Sequence, residues 1–377
     1  MSHNKYIAIL GRQPELGLAE LEAVVGADQV VPFGRAAALV SSLVDIDRLG
    51  MTIKFAKVIY EGALTDLKEL PIDIDQLPFG EGKSPFALSL YGVQASRRDC
   101  EAAGLALKKR FKQRGSVRLI QPVSGVAVTA AGLKHNKVLA KGFELLVVVN
   151  GSHMILATTV GVQDIDAYAA RDYGRPARSA GVGMLPPKLA QFLLNMTPAG
   201  QMVADPFCGT GVVLQEALLA GRAAWGSDLE PDMVEMTRTN LQWLAQQYGE
   251  IPDWNIQVAD ARNVTLPVGA AVVSEGYLGP ALAVAPGLDQ LRDIKQQTAQ
   301  LYREVLKNWA SQLPNGATVA LCSPSWRLNG TWHHLGIIDE LPKMGYSLME
   351  FAHATTPLLY ARPDQIVGRR LLLMRKS

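Results

Sequence analysis

The sequence predicts an α/β protein whose C-terminal half is a doubly wound, mostly parallel sheet ending in an antiparallel hairpin. Three observations support this prediction. Strand and helix patterns alternate from about residue 185 onward, and such alternation requires a parallel sheet covered by helices. A short apolar strand at Val203 runs into a glycine turn and a helix, which is a nucleotide-binding arrangement. No helix separates the last two predicted strands, so they fit an antiparallel pair at the sheet edge.

The composition sets the limits of the fold and of its surroundings. A chain of 377 residues exceeds one ordinary domain, and 48% hydrophobic with 19% charged residues is typical of a soluble globular protein. No apolar run reaches the ~20 residues that span a bilayer, and the first residues lack signal-peptide features. Three cysteines in unrelated contexts argue against disulfides, and no Cys/His spacing indicates zinc. We therefore expect a cytoplasmic protein with no membrane contact and no metal.

The first half of the chain is predicted to form smaller α+β units. Residues 61–84, rich in Pro, Gly and Asp, predict a connection, and Asn150-Gly151 predicts a hairpin turn. The predicted strands are 6–10, 30–33, 37–40, 86–92, 116–120, 126–130, 143–149 and 153–160, and the predicted helices are 15–25, 45–51 and 98–112.

The second half begins after a polar joint over residues 161–185 that carries several arginines. Pro186-Pro187 predicts the start of a helix, since proline is tolerated in a first turn. The further predicted helices are 212–220, 232–248, 288–312 and 335–344, and the predicted strands are 203–205, 223–227, 255–258, 271–273, 318–322, 346–351 and 366–374.

The glycine turn predicts which nucleotide binds. Gly209 and Gly211 let the backbone approach a ligand, and Asp228 follows at the distance expected of an acid that binds a ribose hydroxyl. Leu214 stands where a dinucleotide site would have its third glycine. Asp205 at the strand tip would repel a pyrophosphate but hold an ammonium group. S-adenosylmethionine has an ammonium, a ribose diol and no phosphate, so the stretch predicts a methyl-donor site; the alternative is a turn that binds nothing.

A basic stretch on the predicted helix 98–112 and the loop after it predicts a second function. Positions 97 to 118 contain eight basic residues and only two acids, which is a phosphate-binding pattern. The alternative is an ordinary solvated helix face. The candidate RNA-binding residues are Arg97, Arg98, Lys108, Lys109, Arg110 and Arg114.

Three stretches resemble a known family. They are Y-I-A-I-L-G-R-Q-P-E-L-G-L-A-E-L-E from residue 6, R-D-Y-G-R-P followed by M-L-P-P-K-L-A at the joint, and D-P-F-C-G-T-G from residue 205. With them the chain resembles the THUMP-domain methyltransferases, in particular the archaeal and eukaryotic enzymes that modify N2 of guanine 10 in tRNA. The resemblance implies a ferredoxin-like domain over 1–80, a THUMP RNA-binding domain over 81–165, a linker over 166–184 and a Rossmann-like methyltransferase domain over 185–377. It also implies tRNA as the partner; some relatives need a small activating subunit, and whether this chain does is left open.

The resemblance extends to single residues around the donor. Asp205 is expected to meet the ammonium, Asp228 the ribose diol, and Asp260 the adenine. The predicted donor-binding residues are Asp205, Phe207, Gly209, Gly211, Asp228, Leu229, Asp260 and Ala261. For Asp260 an ordinary strand-end or capping role is a serious rival, and a nucleophilic role for Cys208 is disfavoured because it lies in the donor loop. The joint residues Arg171, Asp172 and Arg175 are expected to border the donor pocket or to form salt bridges.

The acceptor side departs from the family pattern. Relatives carry Asp-Pro-Pro-Tyr or Asn-Pro-Pro-Tyr at the fourth strand tip, where an acid or amide orients the amine and the aromatic ring stacks on the extruded base. This chain has Ser274-Glu275-Gly276-Tyr277. We expect Glu275 to accept the amine hydrogen bond and act as base, with Tyr277 stacking. Alternatively Ser274 occupies the place of the acid, or the segment is a plain exit from a strand.

These observations predict direct methyl transfer from S-adenosylmethionine to the N2 amine of a tRNA guanosine, at position 10. Two alternatives stay open: methylation of an amino group in DNA, and a catalytically altered protein that binds RNA without transferring a methyl group.

Overall fold

A computed structural model describes residues 5–178 and 184–377. The chain divides into two compact units, Met1–Ala167 and Tyr168–Ser377. The division falls inside a single helix, Ile165–Tyr173. This helix lies in the stretch predicted as a polar joint, residues 161–185.

The first unit is built on one eight-stranded sheet. Its strands are β1 Tyr6–Leu10, β2 Val30–Phe33, β3 Ala37–Val40, β4 Thr52–Ala63, β5 Ser84–Tyr91, β6 Val117–Ile120, β7 Phe143–Asn150 and β8 His153–Val162. Its helices are α1 Pro14–Val25, α2 Arg97–Phe111, α3 Ala130–His135, α4 Val138–Lys141 and the start of α5 Ile165–Tyr173. The strand order is β2-β3-β1-β4-β8-β7-β5-β6, and the pairs β5–β6 and β5–β7 are parallel.

The sheet continues across the domain boundary predicted at residue 80. Strand β4 pairs with β1 on one side and with β8 on the other, from Lys54 opposite Val162 to Ala63 opposite His153. The two predicted N-terminal domains therefore share one sheet, and their family names stay predictions.

Three local predictions in this unit were wrong. Strand β4 was missed because its buried Lys54 interrupts the apolar pattern; the ammonium is held by Glu144 at 2.5 Å, 90 residues further along. Residues 126–130 form no strand but lead into α3, whose first turn is capped by the Thr129 hydroxyl. The predicted helix 45–51 is a three-residue 3₁₀ turn, Ile46–Arg48.

The second unit has a nine-stranded sheet. Its strands are β9 Val203–Asp205, β10 Ala224–Asp228, β11 Trp254–Val258, β12 Ala271–Ser274, β13 Thr318–Leu328, β14 Thr331–His334, β15 Tyr346–Leu348, β16 Leu359–Tyr360 and β17 Val367–Lys376. Its helices after α5 are α6 Pro187–Asn195, α7 Val212–Leu219, α8 Pro231–Tyr248 and α9 Leu288–Ala310. The helix predicted over 335–344 is a 3₁₀ segment, Ile338–Met344.

The strand order confirms the predicted fold class. It runs β11-β10-β9-β12-β13-β17-β15, with the first five strands parallel and β17 antiparallel to β13, β15 and β16. Strand β9 comes first in the chain but lies between β10 and β12, so the strand order reverses at β9. In such sheets ligands bind at the carboxyl ends of the strands beside this reversal. The tips of β9, β10 and β12 are therefore the place to look for a site.

Two further features concern the described residues only. None of their helices is both long enough and apolar enough to cross a bilayer. No group of three His, Cys, Asp or Glu side chains among residues 5–178 and 184–377 is arranged to hold a metal ion.

Candidate functional site

Asp205 ends β9 and is 1% exposed. Its Oδ1 accepts hydrogen bonds from the Phe207 amide at 3.1 Å and from the Ser274 hydroxyl at 2.6 Å. Its Oδ2 has no partner among the described residues. Burial raises the pKa of Asp205 to about 7, and the nearby Asp228 and Glu275 carboxylates act in the same direction. The site therefore holds a carboxylate that a cationic ligand would stabilise.

Asp228 ends the neighbouring strand β10 and organises two loops. Its Oδ2 accepts from the Gly209 amide at 2.9 Å, and its Oδ1 accepts from the Glu230 amide at 3.1 Å. Each carboxylate oxygen can accept a second hydrogen bond, and Asp228 is partly exposed. Leu229, beside it, is 58% exposed. The carboxylate is thus held in place and still open to hydroxyl groups of a ligand.

The glycine turn needs its glycines for two different reasons. Gly209 and Gly211 have φ of 51° and 83°, the left-handed region that other residues rarely adopt. A Cβ on Gly209 would meet nothing within 4 Å, so this backbone faces open space. A Cβ on Gly211 would lie 2.9 Å from Thr237, whose hydroxyl donates to the Gly209 carbonyl at 2.7 Å.

Leu214 packs where the third glycine of a dinucleotide site would stand. Its Cδ1 lies 2.6 Å from the place of a Cβ on Gly226 of β10. Close packing of α7 on the sheet is thus achieved with the glycine on the strand, opposite the leucine on the helix.

A cavity lies between these strand tips and the start of α7. It is lined by Met184, Leu185, Asp205, Phe207, Cys208, Gly209, Thr210, Val212, Val213, Met233 and Glu275. It thus brings together three predicted donor-binding residues and the predicted base Glu275. Leu229, Asp260, Ala261 and Tyr277 are not among its lining residues, and Gly211 and Asp228 border its glycine loop.

The surroundings of Cys208 and Asp260 bear on the alternative roles considered for these two residues. Burial raises the pKa of the Cys208 thiol well above its ordinary value, with Asp205 and Asp228 acting in the same direction. This shift disfavours the thiolate that a nucleophilic cysteine needs. Asp260 accepts from the Arg262 amide at 2.9 Å and from its guanidinium at 2.6 Å. These bonds lower the pKa of Asp260 and fit its turn-capping alternative; Ala261, beside it, is 4% exposed.

The acceptor-side loop turns sharply at Gly276. Its φ is 71°, and a Cβ there would collide with the Tyr302 hydroxyl and lie 2.7 Å from the Cys322 carbonyl. The Tyr302 hydroxyl lies 2.8 Å from the Cys322 carbonyl oxygen and 3.1 Å from the Tyr277 carbonyl oxygen, so its single hydrogen has two acceptors within reach. This turn leaves Tyr277 43% exposed. An aromatic ring is therefore presented to solvent three residues beyond Ser274.

Glu275 is paired with an arginine that the sequence analysis did not identify. The Arg369 Nε donates to Glu275 Oε1 at 2.5 Å, and their side chains are 3% and 18% exposed. Burial raises the pKa of Glu275, and Arg369 partly offsets this shift. The signal for Arg369 was an arginine pair inside the otherwise apolar stretch of β17.

The joint and the basic helix place the remaining candidates. Arg171 donates to Glu216 of α7 at 2.6 Å, and both side chains are nearly buried.

In the first unit, Arg110 donates to the Leu70 carbonyl at 2.7 Å. Arg97 bonds to the Val123 carbonyl and pairs with Glu101, Arg114 pairs with Asp75, and Lys108 is partly exposed. Arg98 and Lys109 are exposed and form no hydrogen bond or ion pair with the described residues.

Comparison with known proteins identifies the second unit. Residues 175–328 match the family described as UPF0020, RMKL-like, methyltransferase domain. This segment is a methyltransferase domain. The tRNA (guanine(10)-N2)-dimethyltransferase of Methanothermobacter thermautotrophicus is 29% identical over 231 residues, which is 60% of this chain and 63% of that protein. The enzyme of the same name from Pyrococcus abyssi is 24% identical over 330 residues, 84% of this chain and 88% of that protein.

A solved structure shares the whole fold. TrmN from Thermus thermophilus superposes with a TM-score of 0.58, covers 100% of both chains and is 19% identical. The architecture of the methyltransferase domain and of the unit before it is therefore found in another protein.

The residues of the methyltransferase domain fit S-adenosylmethionine. The open Oδ2 of Asp205 suits the donor's ammonium, Asp228 can accept from ribose hydroxyls, and the open space above Gly209 admits a ligand against the backbone. The loop from Ser274 to Tyr277 follows β12, which flanks β9 on the side opposite β10.

Proposed function

We propose that this chain is an S-adenosylmethionine-dependent methyltransferase that modifies the N2 amine of a guanosine in tRNA, at position 10. The names of the two archaeal relatives support the substrate. The observation that carries the proposal is the cavity in which Asp205 and Gly209, on the donor side, meet Glu275, on the acceptor side.

In this proposal the donor-side residues bind and orient. Asp205 pairs with the ammonium through Oδ2, and Asp228 accepts hydrogen bonds from the ribose. Gly209 and Gly211 keep the backbone close to the ligand. When bound, S-adenosylmethionine supplies an electrophilic methyl group on its sulfonium.

The acceptor-side residues present the amine. Glu275 Oε2 has no partner among the described residues, so it can accept an N–H of the guanine amine and turn the nitrogen lone pair away from the ring. Arg369 on Oε1 favours the ionised form of Glu275, which can take the proton that the amine loses. Tyr277, exposed beyond the Gly276 turn, stacks on the extruded base.

The basic helix α2 supplies the RNA contact in this proposal. Arg98 and Lys109 are the best candidates, since their charges are exposed and unpaired within the described residues. Each phosphate contact makes the slope of log binding constant against log salt concentration more negative by roughly 0.7 to 0.9. We expect R98A/K109A to weaken tRNA binding and to flatten this slope by roughly 1 to 2. The exposed Lys57 of β4 provides the control, since K57A should leave the slope unchanged.

A rival function has one observation in its favour. Ser274 is bound to Asp205 and Glu275 to Arg369, so both candidate acceptor groups already have partners. A protein that binds donor and RNA without transferring a methyl group would keep such an arrangement.

The decisive experiment measures products. Purified chain and labelled donor are incubated with a tRNA transcript that has guanosine at position 10, with the same transcript carrying adenosine there, and with duplex DNA, and nucleosides are analysed by mass spectrometry. We expect N2-methylated guanosine in the first RNA only. Label in DNA alone would favour the DNA alternative, and donor binding with no labelled product would favour the rival function. Turnover by the chain alone would show that no activating subunit is required.

We also infer the reducing, cytoplasmic setting expected from the sequence. It is supported by the three cysteines, Cys100, Cys208 and Cys322, which are free and buried.

A further inference from the structure

Arg175 is a buried cation without an adequate partner. The residue is 2% exposed, and its Nε and Nη1 have no hydrogen-bond partner among the described residues. Its Nη2 contacts the Met184 sulfur at 3.0 Å, and a thioether is a weak acceptor. Buried polar groups are nearly always hydrogen-bonded and buried charges are nearly always paired. Arg175 therefore requires an explanation.

The neighbouring arginines show how unusual this is. Arg171 is paired with Glu216, and Arg369 with Glu275. No carboxylate of the described residues lies within salt-bridge distance of Arg175. Arg222, also buried, donates to the carbonyls of Gln201 and Leu194 and to the Thr197 hydroxyl. Arg222 Nη2 also has no hydrogen-bond partner, but Arg222 has three oxygen acceptors, whereas the one hydrogen-bond contact of Arg175 among the described residues is a thioether sulfur.

Met184 connects Arg175 with the donor cavity. Its sulfur contacts the guanidinium, and the same residue lines the cavity together with Asp205 and Gly209. Methionine is unbranched and flexible, so its side chain can move aside for a ligand.

The cavity itself lacks a group that a carboxylate needs. Its described lining residues include Asp205 and Glu275 but no lysine, arginine or histidine. A ligand with an amino-acid moiety brings an ammonium, which Asp205 can take, and a carboxylate, which these acids repel. A guanidinium directly behind Met184 is the complementary group.

We propose that Arg175 binds the carboxylate of the methyl donor's amino-acid moiety, with Met184 giving way to it. This inference rests on the proposed function, because it presupposes that the cavity takes S-adenosylmethionine. Arg175 would then be a positioning residue that, together with Asp205, holds the two charged ends of that moiety.

The wild-type protein tests the inference without any substitution. Calorimetry compares S-adenosylhomocysteine with its decarboxylated analogue, which keeps the amine, and with 5′-methylthioadenosine, which lacks both groups. We expect the decarboxylated analogue to bind roughly 10- to 100-fold more weakly than S-adenosylhomocysteine, the range of one charge-assisted hydrogen bond. Equal affinities would overturn the inference while leaving the proposed function intact. No binding of S-adenosylhomocysteine would overturn the proposed function and, with it, the inference.

Variants identify the residue. R175M should lose roughly 10- to 100-fold for S-adenosylhomocysteine and little for the two ligands without a carboxylate, while R175K should recover part of the loss. R222M removes another buried arginine of the same unit and should lower stability without changing the preference among ligands. An unchanged affinity in R175M, or an equal loss for all three ligands, would overturn the inference. If R175M does not fold, R175K and the wild-type ligand series decide.

Discussion

The Ser274 hydroxyl donates a hydrogen bond of 2.6 Å to Oδ1 of Asp205. This bond joins the tips of β12 and β9, which are the acceptor side and the donor side in the proposed function. The same hydroxyl oxygen accepts from the Gly276 amide at 3.2 Å. At the tip of β12 the chain therefore has a neutral hydrogen-bond donor that stabilises the carboxylate next to it.

Replacing Ser274 should change donor binding through Asp205. The bond lowers the pKa of Asp205 against the effect of burial, so S274A should raise that pKa above about 7. Only ionised Asp205 pairs with an ammonium, so wild-type affinity for S-adenosylhomocysteine should fall as the pH drops through about 7. In S274A this fall should begin at a higher pH. Calorimetry between about pH 6 and 9 measures it, S323A is the matched buried-serine control, and identical profiles for S274A and the wild type would contradict the prediction.

Replacing Asp205 should stabilise the free protein and abolish ligand binding. The folded-state pKa of Asp205, about 7, lies above its ordinary 3.8, so the folded state takes up a proton more readily than the unfolded state between these values. Stability contributed by the protonated form is therefore lost as the pH rises through about 7. D205N keeps the acceptor oxygen without the charge and should be more stable than the wild type at pH 8. At pH 5 this stability advantage should be smaller, because Asp205 of the wild type is then protonated.

The tryptophans make this measurable. All six lie in the second unit, at positions 225, 243, 254, 309, 326 and 332, so their fluorescence follows the unfolding of that unit. A stability difference between D205N and the wild type that does not vary with pH would exclude titration of Asp205 as the cause.

Breaking the Glu275–Arg369 pair should be costly. R369M leaves the Glu275 carboxylate without its cation in a buried place, and we expect the free energy of unfolding to fall by about 3 kcal/mol or more. The double variant E275M/R369M removes both charges and should recover much of that loss. Denaturant unfolding followed by tryptophan fluorescence measures R369M, E275M and the double variant against the wild type. Strictly additive effects of the single substitutions would show that the pair is not coupled.

Gly276 should be required for methyl transfer but not for donor binding. Alanine there must adopt a left-handed φ, which costs roughly 1–2 kcal/mol, and its Cβ would push against Tyr302 and Cys322. We expect G276A to displace Tyr277, to retain affinity for S-adenosylhomocysteine and to lose at least most of its turnover on tRNA. G287A is the control, since a Cβ at Gly287 meets nothing within 4 Å. Wild-type turnover by G276A would contradict the role given to this turn.

The sequence predicts best what depends on neighbours along the chain. The turn at Gly209 and the acid at Asp228 belong to one strand-helix-strand segment, so their spacing alone places them together. Arg369 acts on Glu275 from 94 residues away and Ser274 on Asp205 from 69, and no local pattern reports such contacts. Strand β4 was missed for the same reason, because the distant Glu144 makes its buried lysine tolerable.

The contact between Leu214 and Gly226 bears on how such sites are recognised. A motif of three glycines in one segment assumes that the small residue that lets helix and strand pack closely always lies on the helix. In this chain the glycine, which has no Cβ, lies on the neighbouring strand β10. Helix and strand therefore pack closely although the one-segment motif is absent. A pattern that accepts a small residue at either position, five places after Gly209 or two places before Asp228, would detect both solutions. It would do so because steric fit depends on the sum of the two side chains and not on either one.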